Sequence, residues 1–88
     1  IGSDGMLFTM DNEPAFFHMK NTTIPLDIVY FDSSGVALKI DEMEPTTGKS
    51  NCIELCAYVL ELPKGACTKL GINAGSQLEI TGGNAKDE

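Results

Sequence analysis

Apolar residues recur along this chain with a period of two, in short runs separated by turn-forming clusters. Met6-Leu7-Phe8-Thr9-Met10 reads as a first strand that ends at Asp11-Asn12-Glu13-Pro14, where Pro14 interrupts any ladder. A second short strand, rich in aromatics, covers Ala15 to Met19. Lys20 to Pro25 is then a polar connection, stiffened by Thr22, Thr23 and Pro25. Leu26 to Phe31 is the strongest strand. Leu26, Ile28 and Tyr30 line one face, Asp27, Val29 and Phe31 the other, and both faces are mostly apolar. Such a strand belongs in the middle of a sheet. Asp32-Ser33-Ser34-Gly35 is a hairpin turn, with Gly35 suited to a left-handed backbone. Beyond it Val36, Leu38 and Ile40 alternate with Ala37, Lys39 and Asp41, which predicts a half-buried antiparallel partner.

The pattern weakens over Glu42 to Asn51, whose Pro, Thr, Gly and Ser content predicts a surface loop. Strand character resumes from Cys56 to Leu62, with Tyr58, Leu60 and Leu62 on one face and Ala57, Val59 and Glu61 on the other. Pro63 suits the first position of a helix, Ala66, Cys67 and Leu70 form its apolar face, and Gly71 suits its C-cap. A turn over Asn73 to Ser76 leads to a last strand from Gln77 to Thr81, and Gly82 to Glu88 is a polar tail. The sum is a mainly β (α+β) domain of about six strands with one short helix near residues 63–71. Its sheet is mostly antiparallel and curls into a small barrel or half-barrel.

Length limits this to a single domain over residues 1–88. A chain of this size buries roughly 60% of its unfolded surface, so its stability margin is thin. Composition is that of an ordinary globular protein, with 42% apolar and 22% charged residues. No apolar run approaches the length of a transmembrane helix, so no membrane insertion is expected. Six Lys and no Arg face thirteen carboxylates, for a net charge of −7. The six Lys are scattered, whereas phosphate binding needs them clustered, so no nucleic-acid partner is expected.

Three Cys cannot all pair within one chain. Cys52 and Cys56 are close enough in sequence to be bridged if the backbone turns between them, whereas in a continuous strand they stand roughly 13 Å apart, which forbids a disulfide. The Cys52-x-x-x-Cys56 spacing is not a zinc knuckle and there is one His, so these thiols read as small buried apolar groups and no metal or cofactor is expected.

The runs Gly5-Met6-Leu7-Phe8, Met19-Lys20-Asn21-Thr22, Ile24-Pro25-Leu26-Asp27, Phe31-Asp32 and Gly35 carry a resemblance. With Tyr58-Val59-Leu60-Glu61-Leu62-Pro63, Gly65, Gly71-Ile72 and Gly75 in the same order, the chain resembles the "domain of unknown function 192" family of bacteria and archaea over residues 5–81. The resemblance implies a β-rich barrel-like fold. It also implies that a strand and short helix found at the family's N-terminal end are missing here. That loss would leave an open sheet edge for another chain, or the rest of a longer parent, to cover. Family members are often preceded by an export signal, which implies an extracytoplasmic setting. The family brings no agreed biochemical activity. One position departs from its pattern: His18 stands where the family usually has Trp.

Polar residues among these motifs are the candidate site. Asp27 lies on an otherwise apolar strand face and needs a partner if buried. Lys20, or the Lys20–Asn21 backbone on the connection leading to it, could be that partner, and Asn and Asp at such places commonly bond local backbone. His18 is the sole His, the residue type used most often as a general base, and Asp27 or Glu61 could orient it in that role. Glu61 either caps the predicted helix or points into the same pocket as Lys20. These residues predict a non-enzymatic binding or accessory module with a polar pocket formed by His18, Lys20, Asn21, Asp27 and Glu61, serving a small ligand or protein partner. Two further readings compete with it. One is an acid–base enzyme or hydrolase using His18 with Asp27 or Glu61; the other is a module that self-associates as a homodimer through an exposed sheet edge.

Overall fold

Strands β1 (Met6–His18), β2 (Leu26–Phe31), β3 (Ala37–Met43) and β4 (Lys49–Pro63) precede the short helix α1 (Ala66–Leu70) in the computed structural model, which describes residues 5–20 and 22–78. They form one antiparallel sheet in the order β1-β4-β2-β3. β2 is paired on both sides and all six of its residues are buried, as its two apolar faces predict. The β2–β3 turn is also as predicted. Asp32 Oδ1 accepts the N–H groups of Ser34 and Val36, each at 2.9 Å, and Gly35 takes φ 80°.

Among the described residues four strands stand where about six are expected. The two N-terminal runs are one strand, because the predicted turn at residues 11–14 is a bulge: between Thr9 and Glu13 β1 advances four residues while β4 advances two. Asn12 supplies the bend in left-handed conformation, φ 57°. Pro14 is tolerated because β1 is an edge strand. β4 in turn starts at Lys49, so the predicted loop over 42–51 shrinks to five residues between Met43 and Lys49. The predicted strand over 77–81 reaches the described residues at its beginning, where Gln77 bridges Val36; its remainder, like the tail, lies outside them. The helix begins three residues later than predicted, since Pro63 ends β4.

A further bulge, between Tyr30 and Phe31 of β2, sets Leu38 out of register on β3. Leu38 therefore packs with one core cluster and Ile40 with the other, against the expectation that Val36, Leu38 and Ile40 share a face.

The sheet curls into an open half-barrel with a cluster on each side. Leu26, Ile28 and Tyr30 meet Met43, Cys56 and Val59 inside the curl, where Ala15, Met19 and Cys52 close over them. On the outer side Val29, Phe31, Ala37, Leu62 and Cys67 form the second cluster, covered by Ala66, Ile72 and Leu78. The curl is fastened by a buried polar chain. Ser50 Oγ donates to Asp41 Oδ2 at 2.5 Å, so the contact of 2.6 Å between Tyr30 Oη and Ser50 Oγ has Tyr30 as donor. Lys39 Nζ then bonds the Asn51 carbonyl at 2.7 Å and pairs with Asp41 at 3.4 Å.

Candidate functional site

Three connections meet at one end of the half-barrel: the segment leading into β2, the β3–β4 loop, and the β4–α1 turn. Backbone hydrogen bonds lace them together. Met19 N donates to the Gly48 carbonyl at 3.0 Å, Thr46 N to Thr22 at 3.0 Å, and Lys64 N to Pro25 at 3.2 Å. Gly48 is required here, because a Cβ would stand 2.5 Å from the Glu44 carbonyl oxygen and 2.7 Å from its nitrogen. An ion pair of 3.1 Å between Lys64 and Glu44 adds to the lacing, with both partners largely exposed.

Asp27 is the polar centre of this end. Only 2% of it is exposed. Its Oδ2 accepts the N–H groups of Gly65 at 3.1 Å and Cys67 at 3.0 Å, and among the described residues its Oδ1 has no hydrogen-bond partner. The carboxylate thus caps α1 from another strand, replacing the local side-chain cap that α1 lacks. Burial, followed by the nearby Asp27 charge, pushes the Cys67 thiol up to about 11.

Beside this cap lies an open groove of about 490 Å³, lined by the 62–66 turn together with Lys69 and Leu70. Leu62, Pro63 and Ala66 give it an apolar floor, Leu70 is 66% exposed at its edge, and Lys64 and Lys69 stand on its rim. An arrangement of this kind suits an apolar group bearing a negative charge.

Among the described residues, the other predicted site residues are not gathered in one pocket with Asp27. Glu61 pairs with Ile28 and Met6, whose side chains share the sheet face opposite to that of Asp27, and burial raises its carboxyl above the usual range. It does not cap α1; Asp27 does. His18 ends β1 opposite Lys49, at the other end of the β1–β4 ladder from Glu61. Its Nδ1 accepts the Lys20 N–H at 3.3 Å. Lys20 is exposed on the connection, and Asn21 lies outside the described residues.

Sequence reasoning missed the groove and the Tyr30–Ser50–Asp41 chain. The chain had a signal: a Tyr in the centre of a fully buried strand needs a partner for its hydroxyl. The groove had none, since Lys64, Lys69 and Leu70 are brought to one edge by the turn alone. Among the described residues no group of three His, Cys, Asp or Glu side chains is placed to hold a metal, and no helix is long and apolar enough to cross a membrane.

This architecture recurs in two solved structures. A protein of unknown function from Novosphingobium aromaticivorans DSM 12444 superposes with a TM-score of 0.81 at 29% identity, over 91% of this chain and 60% of that one. A candidate transcription regulator from Sinorhizobium meliloti 1021 superposes with a TM-score of 0.80 at 36% identity, over 90% of this chain and 64% of that one. The chain therefore spans less than two thirds of the length of either neighbour. No curated protein matches it. The model of the DUF192 family, an uncharacterised ACR, matches residues 2–80. With nine-tenths of its length accounted for in this way, the chain belongs to the DUF192 family.

Proposed function

We propose that this chain is a small non-enzymatic binding or accessory module, and that its ligand or protein partner docks in the groove between the end of β4 and α1. The observation that carries this reading is the groove itself: an apolar floor with two lysines on its rim, in a chain of net charge −7. An apolar group bearing a carboxylate complements both features. The connection leading into β2 is held to the groove through the Pro25 carbonyl, which accepts the Lys64 N–H. The Asp27 carboxylate already serves two backbone N–H groups, which favours anchoring over acid–base work with His18. For the regulator from Sinorhizobium meliloti a role in transcription is named. In this chain thirteen carboxylates against six scattered lysines support a protein or small-molecule partner over nucleic acid.

The test is a two-dimensional NMR titration with aliphatic and aryl carboxylates. The expected result is shifts concentrated at Gly65, Ala66 and Leu70, lost in a Lys69→Glu variant of unchanged stability. Shifts scattered over the surface, or a Lys69→Glu variant that responds like the wild type, would remove the groove as the site.

A second reading is favoured by one observation. Phe16, in the β1–β4 ladder beyond the bulges, is 72% exposed, and Ile53, within the neighbouring bulge of β4, is 80% exposed. Two bulky apolar side chains so placed support self-association through this arm.

A further inference from the structure

Cys52 and Cys56 belong to one strand, and in a regular strand their separation of roughly 13 Å would keep them apart. β4 is not regular between them. Cys52 pairs with Ala15 and Cys56 with Glu13, so β4 uses four residues where β1 uses two. The two cysteines therefore span only about 6.6 Å of strand rise on the β1 side. That separation falls within the Cα spacing of roughly 4.4–6.8 Å that a disulfide bridges.

Orientation agrees with spacing. Both side chains enter the interior cluster, 2% and 0% exposed, alongside Ala15 and Val59. The intervening residues loop outward, with Ile53 80% and Leu55 56% exposed, and none of them is in register with β1. The thiols are free in this structure, and the Cys56 Sγ donates to the Glu54 carbonyl at 3.5 Å within the loop. Burial first, then the adjoining Cys52, pushes the Cys56 thiol up to about 12, which disfavours its thiolate in the packed state. Cys67, in the cluster on the other side of the sheet, is out of reach of both and serves as an internal control.

We propose that Cys52 and Cys56 are a redox pair that closes into an intrastrand disulfide across the β4 bulge during oxidative folding. The oxidant is a small disulfide such as glutathione disulfide. One cysteine thiolate attacks it, releasing one glutathione thiolate and leaving a mixed disulfide. The second cysteine thiolate attacks the protein sulfur of that bond and releases the second. The two cysteines lose two electrons and two protons in total, and one glutathione disulfide becomes two glutathione thiols.

The test is refolding of the whole chain in a buffer of reduced and oxidised glutathione, acid quenching, alkylation in denaturant without reductant, and mass mapping. The expected product is two hydrogens lighter than the reduced chain, alkylated at Cys67 alone, with residues 52 and 56 crosslinked. Alkylation at all three cysteines, or a crosslink involving Cys67, would overturn the proposal. A second measurement stays informative without any variant. At one glutathione ratio, the oxidised fraction of the 52–56 pair is compared in native buffer and in denaturant. The oxidised-to-reduced ratio should rise at least tenfold in native buffer; a ratio that is equal or falls on folding would mean that the bulge does not accommodate the bond.

Discussion

The Oδ2 atom of Asp27 accepts the backbone N–H of Cys67 at 3.0 Å, so a side chain on the central strand fixes the start of a helix forty residues further along the chain. Gly65 donates to the same oxygen, and the carboxylate is buried. Replacing Asp27 by Ala strands two backbone donors and should cost about 3 kcal/mol. Asp27→Asn keeps an acceptor without the charge and should cost about half as much. Urea unfolding of the two variants, with wild-type-like spectra in the folded state, checks the ordering.

Tyr30→Phe removes the donor that starts the Tyr30–Ser50–Asp41 chain while leaving the Ser50–Asp41 bond in place. The expected loss is about 1 kcal/mol. The same chain governs behaviour in alkali. Burial raises the Tyr30 hydroxyl from 10.0 to about 12, so folding favours its protonated form. Its contribution to stability is complete below pH 10 and is lost as pH rises toward 12. Cys67 and Cys56, raised from 9.0 to about 11 and about 12, act in the same direction from pH 9 upward. Denaturant midpoints should therefore fall steadily above pH 9, and the Tyr30 phenolate should form only near pH 12 in an ultraviolet titration.

The raised carboxyl of Glu61 has a consequence at ordinary pH. Folding favours its protonated form, so the ionised group weakens the fold once pH exceeds the usual carboxylate range. Glu61→Gln should raise the unfolding midpoint at pH 7 and leave it unchanged at pH 3. A variant that is less stable at pH 7 would show that the carboxylate has a favourable role instead.

Gly48→Ala places a Cβ against the Glu44 backbone, 2.5 Å from its oxygen. Backbone cannot yield as a side-chain tip does, so a loss of about 2 kcal/mol is expected in thermal or urea unfolding.

Self-association through the Phe16–Ile53 arm has its own measurement. Light scattering should show a concentration-dependent dimer that a Phe16→Ser, Ile53→Ser double variant abolishes. A wild-type monomer at all concentrations would exclude this reading.

Where local pattern and global fold coincide, the fold was legible in the chain. Five apolar residues in a run of six, spread over both faces, made β2 visible, and Asp32 with Gly35 made its hairpin visible. What was hidden shares its chemistry with something else. Asn12 in left-handed conformation looks the same in a turn and in a bulge, so one bent strand read as two. The candidate site was half legible. The need of Asp27 for a partner followed from its apolar surroundings. The partner proved to be backbone N–H groups distant in sequence, which no side-chain pattern announces, rather than Lys20. Glu61 was placed at the helix start by its position before Pro63, yet strand alternation turns it to the opposite face.

The strand order carries a temporal consequence. β4 lies between β1 and β2, and every paired β1 residue finds its partner more than thirty residues further on. During synthesis only the β2–β3 hairpin can form; β1 waits unpaired, and one edge of β2 stays bare, until the last strand has emerged and inserted between them. Sheet assembly is thus a late, single event gated by non-local closure, which makes slow folding and a sticky nascent chain inherent in this topology.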